Sequence, residues 1–134
     1  MQRIEVIDPR RRRWLVEVPV THRERTHGLR GRRWLPPDHA MLFQRCRSVH
    51  TVGMEFPIAL ALLDARFRVV AVRRLPPGRV LFPRPGVRHI LECPYETDLR
   101  PGDRLIALAP FTLPGDLVAP ATHGGPGNAR RARR

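Results

Sequence analysis

Ile58-Ala59-Leu60-Ala61-Leu62-Leu63, followed by Asp64-Ala65-Arg66 and then Phe67 to Val72, decides how this chain folds. Six consecutive apolar positions predict a strand covered on both faces, because an amphipathic strand would alternate with polar residues. Asp64 to Arg66 reads as a turn, and Phe67–Val72 as the antiparallel return. The rest of the chain has to supply a layer for each side of that strand.

Upstream, Met41-Leu42-Phe43 is a short apolar run that reads as a strand starting near Ala40. Residues 3–20 read as a hairpin. Ile4 and Val6 alternate with Arg3 and Glu5, and Val16, Val18 and Val20 share a face opposite Leu15 and Glu17. Asp8-Pro9 opens its turn, which continues through Arg10 to Arg13. Thr21 and Glu24 have the Thr-x-x-Glu spacing of a capping box. A short helix over about 22–30 is expected behind it, stopped at Gly28 or Gly31, and Pro36-Pro37 enforces an extended linker.

Downstream, 76–86 is a Pro- and Gly-rich loop, and His89–Cys93 reads as a further strand. Arg100-Pro101-Gly102-Asp103 suits a type II turn, with Pro presetting φ and Gly accepting positive φ. It launches a last strand over 105–108. About seven short strands and one short helix predict a mostly β, α+β domain over 1–113, its sheet curled into an open barrel. Residues 114–134, rich in Pro, Gly, Ala and Arg, read as a disordered tail.

A chain of 134 residues fits one such domain without disulfides. Aromatics are 6%, so the core rests on Leu, Val, Ile and Ala. The formal charge of +13 suggests an anionic partner, but all 25 basic residues are Arg, as in a GC-rich coding bias. Ten of these Arg fall in residues 1–33, eleven in 34–110 and four in 111–134, so they form no single patch. Electrostatic nucleic-acid association through Arg10–Arg13 and Arg130–Arg134 is a possibility of composition, without sequence specificity. Two cysteines make no secreted disulfide framework. No apolar run is long enough to span a membrane, and the start lacks an apolar signal core. A cytoplasmic location is therefore expected.

Beside this reading stands a resemblance. Thr21-His22-Arg23-Glu24-Arg25-Thr26-His27-Gly28-Leu29-Arg30-Gly31-Arg32 resembles the signature helix of the domain-of-unknown-function 192 family. Ala40-Met41-Leu42-Phe43 is similar to its next strand, and His50 to Met54 with Phe56-Pro57-Ile58 and Leu63-Asp64 to the block after that. Val69-Val70, Ile90-Leu91-Glu92 and Arg100 to Asp103 follow in order, so the match runs over about 15–108. The resemblance implies a small β-rich domain with no established activity. Three positions depart from the pattern. Ala59 stands where many members carry Asp, Arg30 where Met is usual, and Tyr95-Glu96 replaces an Ala-Gly-like pair.

The chemistry-bearing residues gather in two places. Cys46, His50 and Met54 are soft ligands spaced four apart. Cys93 would join them only from an adjacent strand, and no Cys-x-x-Cys pair completes a zinc set. Glu92 interrupts an apolar strand, where a carboxylate either pairs with Arg25 or Arg32 or has a raised pKa. Ser48 is the one serine in the chain and has no nucleophile elbow around it. Asp103 reads as a turn residue. The expected site is a pocket of Cys46, His50, Thr51, Met54, Glu92 and Arg25, serving a non-catalytic domain that binds a small ligand or a partner protein. No cofactor or metal is assigned. A metal- or thiol-dependent enzyme using Cys46 and His50 is the alternative.

Overall fold

The computed structural model describes residues 1–46, 48–82 and 85–108, so the expected tail at 114–134 lies outside the described residues. The described residues form nine strands and one helix: β1 Gln2–Ile7, β2 Arg13–Val18, α1 His22–His27, β3 His39–Phe43, β4 Val49–His50, β5 Ile58–Leu63, β6 Val69–Leu75, β7 Val80–Leu81, β8 His89–Pro94 and β9 Ile106–Ala107. Seven form one sheet in the order β6-β5-β8-β3-β2-β1-β9, while β4 and β7 pair separately. All pairings in the large sheet are antiparallel except β2 with β3. The parallel step requires a crossover, and the segment holding α1 supplies it.

The sheet curls into a half-barrel, mostly β as the sequence predicts. Its outer strands are drawn together at one end. Val69 N–H donates to the Asp103 carbonyl at 2.7 Å, Gly102 N–H to Val69 at 2.8 Å and Leu105 N–H to Phe67 at 3.0 Å. Gly102 has φ +96, so the turn leading into this seam needs a residue free of Cβ strain.

β5 occupies all six predicted positions and every one is buried. Ala59, Ala61 and Leu63 face the barrel interior with Leu91, Leu42, Val16 and Trp14. Ile58, Leu60 and Leu62 face outward into a second cluster, where Leu29, Leu35, Met54 and Val49 cover them. A strand fully buried at each position contributes roughly 2 kcal/mol per large side chain, which is why this run can carry no polar residue on either side.

Several boundaries differ from the sequence reading. α1 ends at His27 because Gly28, at φ +54, turns the chain and Leu29 drops into the outer cluster. The partner of β5 starts at Val69, since Phe67 at φ +61 belongs to the turn. The 76–86 loop contains β7, held by two hydrogen bonds between Thr51 and the 78–79 backbone. The final strand shortens to Ile106–Ala107. Val20 is exposed and does not continue the face of Val16 and Val18.

Candidate functional site

The second layer over β3, β5 and β8 is incomplete, and the gap is a cleft of about 450 Å³. Three pieces of chain wall it. The first is α1 with the residues after it, which contribute His22, Arg25, His27, Leu29 and Arg30. The capping box fixes where that helix starts: Glu24 N–H donates to Thr21 Oγ1 at 3.1 Å, and Thr21 N–H to Glu24 Oε1 at 3.2 Å. From His22 one helical turn brings Thr26 to the same wall, and Arg30 reaches it from beyond the helix by donating to the Thr26 carbonyl at 2.7 Å.

The second wall is the 46–54 segment, with Cys46, Val49, His50 and Met54. The four-residue spacing does not come from one helix or one strand, because β4 is two residues long and 51–54 is a turn. Thr51 clamps that turn. Its hydroxyl donates to the Pro76 carbonyl at 2.7 Å and accepts from Arg79 N–H at 2.9 Å. It is fully buried and does not line the cleft. Gly53 has φ +85, and a Cβ there would meet Arg30 Cδ at 2.9 Å. The missing side chain lets Arg30 lie across the turn and join the two walls.

The floor is the sheet itself. Strand registers set Glu17, Met41, Glu92 and Leu60 in one row across β2, β3, β8 and β5. Glu17 is held by Arg32, which donates to both carboxylate oxygens at 2.7 and 2.9 Å. That pair keeps Glu17 below the usual carboxylate range in spite of its burial. Glu92 is 3% exposed, and its Oε1 has no hydrogen-bond partner among the described residues. Burial pushes its pKa up to about 8, against a weaker opposing pull from Arg32.

The expected ion pair of Glu92 is thus not formed: Arg32 serves Glu17. Arg25 donates to the Gln44 carbonyl at 2.9 Å and lies over the Phe43 ring. Burial therefore favours the protonated form of Glu92, which can donate one hydrogen bond and accept others.

Cys46, His50, Met54, Glu92 and Arg25 all line the cleft. Cys93 does not, because it faces the barrel interior beside Ala59. Ala59 faces the same way, so an Asp at that position would sit in the barrel core and not among the cleft residues. The Cys46 thiol donates to the Ser48 carbonyl at 2.9 Å, and burial raises its pKa, which disfavours a reactive thiolate. Among the described residues, no three His, Cys, Asp or Glu side chains converge as metal ligands. From the α1 wall, sequence reasoning singles out Arg25 and not His22 or His27, and it misses Phe43.

The arginine-rich turn has an internal use. Arg10 donates to Asp103 at 2.7 Å, and Arg12 to Asp98 at 2.7 Å, so the β1–β2 turn is fastened to the 98–103 turn. Asp103 also accepts from Arg100 N–H at 3.0 Å, in keeping with a turn residue. No helix of the described residues is long and apolar enough to cross a membrane.

Comparisons with known proteins agree with this architecture. No curated protein matches the chain. A protein from Sinorhizobium meliloti 1021, described as a "putative transcription regulator", is 25% identical, over 78% of this chain and 92% of that one, with a TM-score of 0.64. A protein of unknown function from Novosphingobium aromaticivorans DSM 12444 shares the fold at 19% identity and a TM-score of 0.64, over 77% of this chain and 82% of that one. The family model DUF192, described as "Uncharacterized ACR", matches residues 5–106. With its capping-box helix and strands β2 to β8 wholly inside that span, the chain belongs to the domain-of-unknown-function 192 family.

Proposed function

We propose that this protein is a non-catalytic binding domain, and that its ligand enters the cleft between α1 and the outer face of the sheet. The observation that carries the reading is Glu92, a cleft-lining residue whose buried Oε1 has no hydrogen-bond partner among the described residues. An unsatisfied buried polar atom costs about 1–3 kcal/mol. A ligand that completes its hydrogen bonding recovers that cost on binding. A cleft of about 450 Å³ is within the range that holds a small molecule or a short segment of a partner. Both cysteines are free, which supports a reducing, cytoplasmic setting. Nucleic-acid association through the arginine-rich turn is the weaker reading, because Arg10 and Arg12 are already spent on Asp103 and Asp98.

Native mass spectrometry of untagged protein, purified through high salt, tests the site directly. A stoichiometric adduct that disappears in Glu92→Ala and in His50→Ala, while both variants keep the wild-type circular dichroism, is the expected result. Variants that unfold would make these residues structural, and an adduct indifferent to both would place binding elsewhere.

A further inference from the structure

The charges around the cleft are one-sided. Arg25 and Arg30 stand on its walls with His22, His27 and His50, and among the described residues Glu92 is the single acidic one in the lining. Arg32 acts on Glu92 from the segment after α1, and the Cys46 thiol faces it from the turn after β3, while Arg25 lines the same cleft from α1. The neighbouring strands β3 and β5 bring only Met41 and Leu60. Arg32 is already committed to Glu17 through both nitrogens. The cleft therefore presents guanidinium groups at its walls, a proton-bearing carboxyl at its floor, and apolar surface from Phe43, Val49 and Met54 between them.

Resting on the site proposed above, the geometry points to a small organic oxyanion as its ligand: a carboxylate or phosphate monoester on an apolar body, accepting a hydrogen bond from Glu92 and paired with Arg25 and Arg30. A cation would meet two guanidinium groups and no carboxylate charge. A neutral apolar molecule would leave Glu92 unpaired. An oxyanion satisfies both, since a neutral acid and an anion form a short charge-assisted hydrogen bond. Arg25 and Arg30 each make one hydrogen bond to a backbone carbonyl and keep further N–H donors for the ligand.

The pH dependence has a fixed sign. Once Glu92 ionises, above about pH 8, the floor donor is lost and a buried negative charge repels the ligand. Affinity then falls about tenfold for each further pH unit.

Methyl NMR of Met54 and imidazole NMR of His50 in the full chain read this out, with four matched probes: phenylacetate, phenyl phosphate, phenylacetamide and phenethylamine. Both signals should shift with one or both anions at about pH 6 and stop responding at about pH 10. The better of the two anions identifies the oxyanion. Glu92→Gln should bind that anion with the pH dependence removed, and Arg30→Gln should weaken it at least tenfold at unchanged fold. Arg25→Gln provides a second cation variant should Arg30→Gln disturb the 51–54 turn. Stronger cleft shifts from the amine or the amide would overturn the oxyanion assignment and leave the site standing. No cleft shift from any probe at millimolar concentration would overturn the assignment as well, and a clean apo mass in the preceding experiment would remove the site with it.

Discussion

Asp8 and Glu92 are equally buried, each 3% exposed, and the protein treats them in opposite ways. Asp8 sits at the β1–β2 turn. Its Oδ1 accepts from Arg10 N–H at 2.9 Å and Arg12 N–H at 3.1 Å, and its Oδ2 accepts from Trp14 Nε1 at 3.0 Å. Glu92 lies mid-sheet with Oε1 unpaired and faces a cleft. Where a buried carboxylate serves the fold, chain and side chains close around it. Where the protein leaves one open, the most economical account is a partner from outside.

The sharpest way to break this comparison is to titrate stability against pH in wild type and Glu92→Gln. Glu92 ionises near pH 4.5 when unfolded and near 8 when folded, so the folded state binds the extra proton between those values. Stability should therefore be highest below about pH 4.5 on this account and decline as pH rises to 8. The full shift corresponds to about 5 kcal/mol at 1.36 kcal/mol per unit. Urea unfolding should show wild type and Glu92→Gln converging at low pH, diverging in favour of the variant from about pH 4.5 to 8, and keeping a constant gap above that. Parallel profiles would mean that Glu92 is already ionised and partnered at neutral pH.

Asp8→Ala probes the other side. It strands a buried indole N–H and two turn amides, and should cost about 3 kcal/mol in the same denaturation assay. Cleft binding at a temperature where the variant is folded should be unchanged. A loss below 1 kcal/mol would show that water can replace the carboxylate, and the contrast with Glu92 would weaken.

How legible these two regions were in the sequence follows from the range of the interactions. β5 could be read from six adjacent letters, and the capping box from Thr21 and Glu24, because both signals are local. The turn at Arg100–Asp103 was legible for the same reason: Gly102 answers a backbone requirement within four residues. Glu92 was visible as an anomaly in an apolar strand, but its missing partner was not. Arg32 lies close enough to compete for it, and only the strand registers place Glu17 in the same row, two strands away. The role of Arg10 and Arg12 was equally hidden, since Asp98 and Asp103 lie 86 and 93 residues further along the chain. Composition made that turn look like a surface for nucleic acid, and long-range pairing makes it a fastening.

Arg32→Gln joins the two regimes, because Arg32 satisfies one carboxylate of the row and faces the other. Losing the Glu17 pair should cost about 1–2 kcal/mol at neutral pH, a discounted figure because the Arg32 side chain is 35% exposed. Glu17 is held low by this pair, so its contribution is present above the unfolded carboxyl pKa and vanishes as pH falls through the folded one. The variant and wild type should therefore converge in acid. Glu92 should move the other way: without Arg32 opposing burial, its titration midpoint rises further above 8. Carbon-13 NMR of the Glu92 carboxyl would detect this, and a midpoint that falls would show Arg32 acting on Glu92 through some other contact.

The smallest effect should come from Thr21→Ala, which removes the hydroxyl that accepts from Glu24 N–H and costs about 1 kcal/mol. Its value lies in where that loss is felt. α1 is one and a half turns long and has no buried residue of its own, so its order depends on the cap and on Leu29 beyond it. Amide exchange should quicken over 22–28 and stay unchanged in β5 and β8. Because Arg25 and Arg30 reach the cleft from this segment, oxyanion affinity should fall in step with the exchange rates while the Glu92 titration stays in place. If affinity held while the helix frayed, the cationic wall would be dispensable, and the open carboxyl at the floor would have to account for binding alone.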